Sequence, residues 1–314
     1  MNTIFRKILM LLSFAFYNKL KLSKKKESEI YNVILTKLST VKITNKNIKK
    51  THLEFNSKMR NIIMQRNLKS FLKISFLQKM FFVHNRFFIL LELLHLRKGK
   101  WNFYKHLLKE SSVGDPVRYF LYPNSSGNTI NHVFHLSILK DEFNIKLKSI
   151  KSVFEFGGGY GCMAKIFYLL NKNIRYTIFD TPIVNLLQYY YLKSLNLDVG
   201  YKNHRFKLQN ELSKNTNLQN NKVGALFIAN WSLSEVPIKF RNKFLPIINQ
   251  HQFFLISFQH FFEEVNNFTY FKDISAKLNK RFEIKFIKNK FYKGSIFKKE
   301  DHYFMIGRKW QTND

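Results

Sequence analysis

The rhythm of apolar and polar positions in this 314-residue chain changes near residue 150. Upstream, from Leu53 to Leu96, apolar residues return at three- and four-residue steps. Leu77, Met80, Phe81, His84, Phe88, Leu91 and Leu94 form one stripe, which predicts helix with its apolar side packed inward. His84 falls within that stripe and reads as a packed core histidine. Residues 18–52 are lysine-rich and weakly patterned, which predicts a mobile or loosely helical connection. Downstream, short apolar runs alternate with helical stretches. Strands are predicted at Ser152–Phe156, Arg175–Phe179, Val223–Ala229 and Phe253–Phe258, with a weak one near Asp198–Lys202 followed by a polar loop to Asn221. Between the strands, Met163, Ile166, Phe167 and Leu170 share one helical face, and Val184, Leu187, Tyr191 and Leu195 share another. Phe282–Ile287 and Tyr303–Gly307 alternate as an antiparallel pair that would close the sheet. The expected fold class is α/β, a Rossmann-like, mostly parallel sheet covered on both faces, behind a helical N-terminal region. Three units follow: a basic helical region 1–110, a lid segment and helix 111–150, and a catalytic domain 151–314.

The first strand runs into Glu155-Phe156-Gly157-Gly158-Gly159-Tyr160-Gly161. Glycines at alternate positions leave no Cβ where a ligand touches backbone and permit positive φ, and the helix start that follows presents unpaired amides. A dinucleotide fingerprint would need its third glycine at 162, where Cys162 stands, so that register fails. A tight turn of purely structural purpose is the bland alternative. The observed acid-x-Gly-x-Gly-x-Gly pattern resembles the first motif of class I S-adenosylmethionine (SAM) methyltransferases. The resemblance implies that Glu155 lies near the methionine amino group, and that Phe156, Gly157, Gly158, Gly159 and Gly161 line the nucleoside. Asp180 ends the second strand, where a Rossmann-like site holds ribose hydroxyls. It could instead cap the next helix, but Thr181-Pro182 already supplies a cap and a first-turn proline. Asn230 and Trp231 end the next strand at the edge expected to face the reaction and are expected to bind the cofactor, Trp231 by stacking on adenine unless it meets a sugar face instead. Ser126, in the small polar loop 124–129, is expected to fold over the cofactor. His132 and His135 lie at i,i+3 with no second ligand pair nearby, so no metal site is expected.

Charge adds less than its size suggests. The net charge is +33, with 24 Lys and Arg against 5 Asp and Glu in residues 1–110. Such a field favours nucleic acid, anionic membrane or acidic sugar-linked substrates. Yet Lys, Asn, Ile and Phe are all abundant, as a genome poor in G and C would encode, so charge does not choose the partner. The single cysteine excludes an intrachain disulfide and a cysteine-rich zinc site. Cys162 reads as a small residue in a crowded turn. Arg6-Lys7 precede about ten apolar residues, Ile8 to Tyr17, short of the roughly 20 that cross a bilayer. With no small-x-small cleavage site after them, they read as an amphipathic helix of a cytoplasmic protein resting on the inner membrane face.

Taken together, Phe-Glu-Phe-Gly-Gly-Gly-Tyr-Gly (154–161), Ile-Phe-Asp-Thr-Pro (178–182), Trp-Ser-Leu-Ser-Glu-Val-Pro (231–237) and Ser-Ser-Gly-Asn (125–128) resemble the sugar O-methyltransferase family of bacterial surface-polysaccharide biosynthesis. The resemblance covers residues 110–309 and extends upstream through His84-Asn85-Arg86. It implies a class I methyltransferase sheet of seven strands with an antiparallel last strand. It also implies SAM as cofactor and a hydroxyl of a sugar, nucleotide-sugar or glycan as acceptor. Such a hydroxyl needs a base. His260, after strand five, is the first choice because its ordinary pKa is near neutral, and Glu235, after strand four, is the second. An amino-directed nucleic-acid enzyme would carry Asp/Asn-Pro-Pro-Tyr where this chain has Asn230-Trp231-Ser232. An RNA ribose 2′-O-methyltransferase is the alternative, although no aromatic-basic recognition motif stands out and no specific nucleic acid is expected. A non-catalytic SAM-fold protein docking to anionic membrane or nucleic acid is the other. The basic N-terminal third could dock on membrane beside a catalytic role.

Overall fold

The computed structural model describes residues 22–41, 50–81, 83, 86–212, 222–292 and 301–310. The apolar stretch 8–17, and with it His84 and Asn85, lies outside these. Five helices come first: α1 (Lys24–Thr40), α2 (Lys50–Met64), α3 (Ser75–Phe81), α4 (Phe87–Lys98) and α5 (Trp101–Leu107). A short antiparallel hairpin, β1 (Arg118–Tyr119) and β2 (Tyr122–Ser126), leads into the long α6 (Gly127–Phe143). The sheet region then runs β3 (Ser152–Phe156), α7 (Cys162–Leu170), β4 (Arg175–Phe179), α8 (Pro182–Ser194), β5 (Val199–Gly200), β6 (Phe206–Gln209) and β7 (Lys222–Asn230). It continues with α9 (Ile238–Arg241), α10 (Leu245–Gln250), β8 (His251–Gln259), a small hairpin β9 (Phe261–Phe262) and β10 (Val265–Asn266), α11 (Asn267–Leu278), β11 (Phe282–Lys288) and β12 (His302–Lys309).

Eight strands form one sheet in the order β11-β12-β8-β7-β3-β4-β6-β5. All neighbours pair parallel except β12, which runs antiparallel to both β8 and β11. The chain starts in the middle at β3, builds outward through β4 to β6, then returns to add β7 and β8 on the other side. The reversal of strand order lies between β3 and β7, and open α/β sheets bind ligands at the carboxyl ends of such strands. This is the expected class I methyltransferase sheet with its reversed last strand, plus a two-residue edge strand, β5. Strand β6 lies where a polar loop was expected. Its burial alternates, Phe206 and Leu208 inward, but four residues are too few for alternation to show against polar flanks.

Side chains on the two faces of the sheet enter two hydrophobic clusters. Val153, Leu226, Ile228, Leu255 and Phe304 face α6 and α7, whereas Phe154, Phe156, Phe227, Ile256 and Phe258 face α10 and α11. The first cluster also takes in the N-terminal helices, so residues 30–108 share a core with the sheet. Within the lysine-rich segment, residues 24–40 form a regular helix, while 18–21 and 42–49 lie outside the described residues. Ser23 caps α1, and Ile30, Tyr31, Ile34 and Leu38 bury against α8. The Tyr31 ring packs tilted against Tyr190, centroids 5.7 Å apart, and its hydroxyl accepts the Leu68 N–H at 2.8 Å. Four buried apolar residues in seventeen make a weak pattern, yet they suffice when a partner face is waiting. The same contact explains why α8 is buried nearly all round rather than on one stripe. The single stripe read across Leu77 to Leu94 is broken: α3 ends at Phe81, Met80 and Leu94 are exposed, and α4 buries Phe88, Ile89, Glu92, Leu93 and Leu96. Among the described residues no helix is long and apolar enough to cross a membrane.

Candidate functional site

Five strand ends meet at one edge. Glu155 lies near the end of β3 with the glycine turn after it, Asp180 follows β4, Asn230 ends β7 with Trp231 next, Gln259 ends β8 with His260 next, and His302 opens the reversed β12 beside them, paired with Gln259. The turn itself is shaped first by its own packing. A Cβ on Gly157 (φ +69°) would fall 2.3 Å from Ser232 Cβ, and one on Gly158 would fall 2.7 Å from both Glu155 Oε2 and Ile178 Cγ2. The Ser232 hydroxyl donates to the Phe156 carbonyl at 2.5 Å, stitching the loop after β7 onto the turn. These two glycines are therefore demanded by neighbouring protein rather than by ligand space alone. Phe81 lies 3.5 Å from the position a Cβ on Gly159 would take, so the helical N-terminal region reaches the turn.

Two acids flank the turn. Glu155 is buried, accepts the Tyr176 hydroxyl at 2.9 Å, and its carboxyl is pushed up to about 8, chiefly by burial. Asp180 is half-buried and its carboxyl is pushed up to about 7, again by burial. Its oxygens accept the Thr181 N–H at 2.8 Å and the Gln188 amide at 2.9 Å, and Gln188 also donates to the Gly159 carbonyl at 2.9 Å. Thr181 caps α8 without a side-chain hydrogen bond, so the acid is braced by the helix start rather than released by it. Among the described residues neither acid forms an ion pair, although the chain holds 53 Lys and Arg. Two desolvated carboxyls without a cation, at the ends of adjacent parallel strands, fit a ligand that brings its own positive charge and hydroxyl donors. That donor set matches the methionine ammonium and the ribose of SAM.

The other expected residues separate. Ser126 is fully buried; its oxygen accepts the Thr129 N–H as the α6 cap, and its hydroxyl donates to Glu110. Glu110 is held down to about 2: burial raises it, but Lys165 at 2.8 Å and three hydrogen bonds outweigh burial. Ser126 thus belongs to a buried ionic brace between the lid segment and α7, and its side chain is committed there. Cys162 touches Thr129 at 3.4 Å, and burial pushes its thiol up, as suits a packed residue. His260 stacks on Phe261 at 4.6 Å and packs against Phe268 and Tyr303, on the α11 face of the sheet. Glu155 and Asn230 point to the opposite face. Glu235 ends a 3-10 turn and is exposed as a residue; desolvation by the neighbouring protein raises its carboxyl, which accepts weakly from the Gln259 amide at 3.5 Å.

Asn230 and Trp231 sit in a group that the sequence did not assemble. Asn230 Oδ1 accepts from His135 Nδ1 at 3.1 Å and from the Ser257 hydroxyl at 3.4 Å. Trp231 holds φ +62°, ψ −33°, an uncommon conformation for a large side chain, and such strain gathers at functional sites. Its ring lies 5.6 Å from His302 and 6.2 Å from His135. His302 is the residue that strand reading missed. It lies one position before the expected start of the last strand, and a reversed strand begins where its parallel neighbours end.

No family model matches the sequence, and no curated protein matches it. Solved structures resemble the fold. A ribosomal-protein methylase from Lactobacillus delbrueckii subsp. bulgaricus superposes with TM-score 0.38 at 13% identity, covering 58% of this chain and 80% of its own. Mitomycin 7-O-methyltransferase gives 0.34 at 13%, covering 58% and 57%, and a phosphoethanolamine N-methyltransferase from Haemonchus contortus, solved with S-adenosylhomocysteine (SAH), gives 0.39 at 12%, covering 56% and 52%. At these values the superpositions carry no weight for substrate or chemistry, and the architecture stands on the strand order of this chain itself.

Proposed function

We propose that this protein is a SAM-dependent O-methyltransferase acting on a hydroxyl of a sugar, nucleotide-sugar or glycan. The observation that carries the cofactor half is the pair Glu155 and Asp180, desolvated and without a basic partner in a chain rich in them. Glu155 would take the amino-acid ammonium and Asp180 the ribose diol, with Asn230 and Trp231 nearer the acceptor. SAM, when bound, supplies a methyl group on a cationic sulfur, open to in-line attack. The chain's own residues align the acceptor oxygen, worth roughly 7–11 kcal/mol when geometry is ideal, and remove its proton. For that proton, the raised carboxyl of Glu235 at the mouth of the site is favoured over His260, whose ring is packed on the other face of the sheet. The resemblance of the Trp-Ser-Leu-Ser-Glu stretch supports the sugar acceptor. Contact of the basic N-terminal third with anionic membrane, and a cytoplasmic location at its inner face, belong to the same proposal.

The test is calorimetric. Wild-type protein should bind SAH, and Asp180→Ala should weaken that binding by at least tenfold, the loss of two charge-assisted hydrogen bonds of roughly 1.5–3 kcal/mol each being partly offset by water. Equal affinity in the two proteins would remove the ribose assignment, and no binding by the wild type would remove the enzyme reading.

A further inference from the structure

The face of the active edge that carries α6 holds polar atoms with nothing to bond. Both ring nitrogens of His302 are buried without a hydrogen-bond partner among the described residues, and the whole residue is only 8% exposed. The amide nitrogen of Asn230 is buried and unpartnered in the same way, although its oxygen is doubly used. Leaving such groups unsatisfied costs roughly 1–3 kcal/mol each, and native proteins keep few of them. Three lie here within one small group, around a tryptophan held at positive φ.

The rings complete the picture. His302 lies 3.6 Å from Tyr292 and 5.6 Å from Trp231, centroid to centroid, and Trp231 is 6.4 Å from Tyr292. Trp231 and Tyr292 are only half-buried. His135 joins from α6, its ring fixed by the bond to Asn230. Burial lowers His135 and His302 to about 4 each, so both imidazoles are neutral at physiological pH. A neutral imidazole with two free nitrogens offers one donor and one acceptor, and Asn230 adds amide donors. A hydroxyl is itself both donor and acceptor. Neighbouring hydroxyls on a ring match this set; a phosphate dianion, which only accepts, leaves the imidazole acceptor unused. The aromatic rings suit the apolar C–H face of a pyranose.

We propose that His302, Asn230 and His135, with Trp231 and Tyr292, form the acceptor subsite, and that it recognises a pyranose ring by adjacent hydroxyls. This deepens the function proposed above and rests on it for the neighbouring cofactor. The subsite begins at the end of β7, the strand next to β3, and extends across the end of β8 to the start of β12, so a ring held on Trp231 and Asn230 lies on the side of β3 away from Asp180. His302 is a binding and orienting group: its buried ring is too weak a base to carry the proton of the reaction.

The experiment uses the full chain with SAH at saturation and methyl α-glycosides of glucose, galactose, mannose and rhamnose as probes, read by saturation-transfer NMR. At least one glycoside should show transfer with the wild type. His302→Phe keeps the ring volume and removes both orphaned nitrogens. It should raise the unfolding temperature, abolish the glycoside signal and leave the SAH affinity within twofold. Trp231→Ala should also lose the signal, and His302→Gln, which keeps a donor and an acceptor, should retain part of it. A purely structural histidine predicts the reverse: a lower unfolding temperature in His302→Phe with the glycoside signal intact, which overturns the proposal. Wild-type protein that binds SAH but none of the glycosides overturns the subsite and leaves the cofactor reading standing. Glycoside binding without SAH binding does the opposite.

Discussion

Replacing Glu155 by Gln separates what this acid does for the fold from what it does for a ligand. The variant keeps the side-chain size and an oxygen for the Tyr176 hydroxyl, and it removes only the ionisable group. In the folded chain the carboxyl is pushed up to about 8 from an ordinary 4.5, because burial outweighs the Tyr176 hydrogen bond and Asp180 stands nearby. Between those two pH values the unfolded chain has released a proton that the folded chain still holds. Wild-type stability therefore falls as pH rises through that window. Each pH unit there is worth up to about 1.4 kcal/mol, so the total is on the order of 4 kcal/mol by pH 8. Glu155→Gln has no such dependence. Urea unfolding without ligand, at about pH 5, 6.5 and 8, should show the two proteins nearly equal at the low end, and the variant ahead by several kcal/mol at the high end. The same variant should bind SAH more weakly, since an amide meets the ammonium less favourably than a carboxylate does. Stability gained with affinity lost marks a group retained for its ligand. A gap that does not change with pH, or one that favours the wild type at pH 8, would refute the claim that this acid is desolvated and unpaired.

The buried brace behaves in the opposite sense. Glu110 is held down to about 2 by Lys165, so its contribution is fully present above its ordinary range and fades as pH falls from about 4.5 toward 2; Glu110→Gln should flatten the acid limb of an unfolding profile, and an unchanged limb counts against the pairing. Lys165→Met leaves that carboxylate buried without its cation and should cost about 3–5 kcal/mol by urea unfolding, whereas a loss below about 1 kcal/mol would mean that water reaches the pair. Glu235→Gln should lower turnover by roughly 10²–10⁴-fold with SAH affinity unchanged, and His260→Ala should change turnover far less. The reverse ranking would return the proton-accepting role to His260.

What the sequence makes legible follows from where each element finds its partner. The sheet strands could be read because they are buried on both faces, so runs such as Ala225 to Ala229 and Phe253 to Ile256 are apolar without interruption. The acids at 155 and 180 could be read because a strand end followed by a turn fixes where its next side chain stands. Helix α1 could not, because its four buried residues acquire meaning only from the outer face of α8, which is not adjacent in sequence. The glycines were read correctly as obligatory but for an incomplete reason: Ser232, 75 positions beyond Gly157, occupies the space that a ligand was expected to need. The site shows the same division. Glu155, Asp180, Asn230 and Trp231 come from neighbouring strand ends, so each can be singled out from its own stretch of sequence. His135 and His302 come from a helix before the sheet and from its last strand, and only the reversal of β12 puts them together. On the proposed assignments, binding the cofactor depends on local turn chemistry, while recognising the acceptor depends on how the chain closes its sheet. A substitution in β12 that shifts its register against β8 should accordingly impair acceptor binding before it touches SAH affinity.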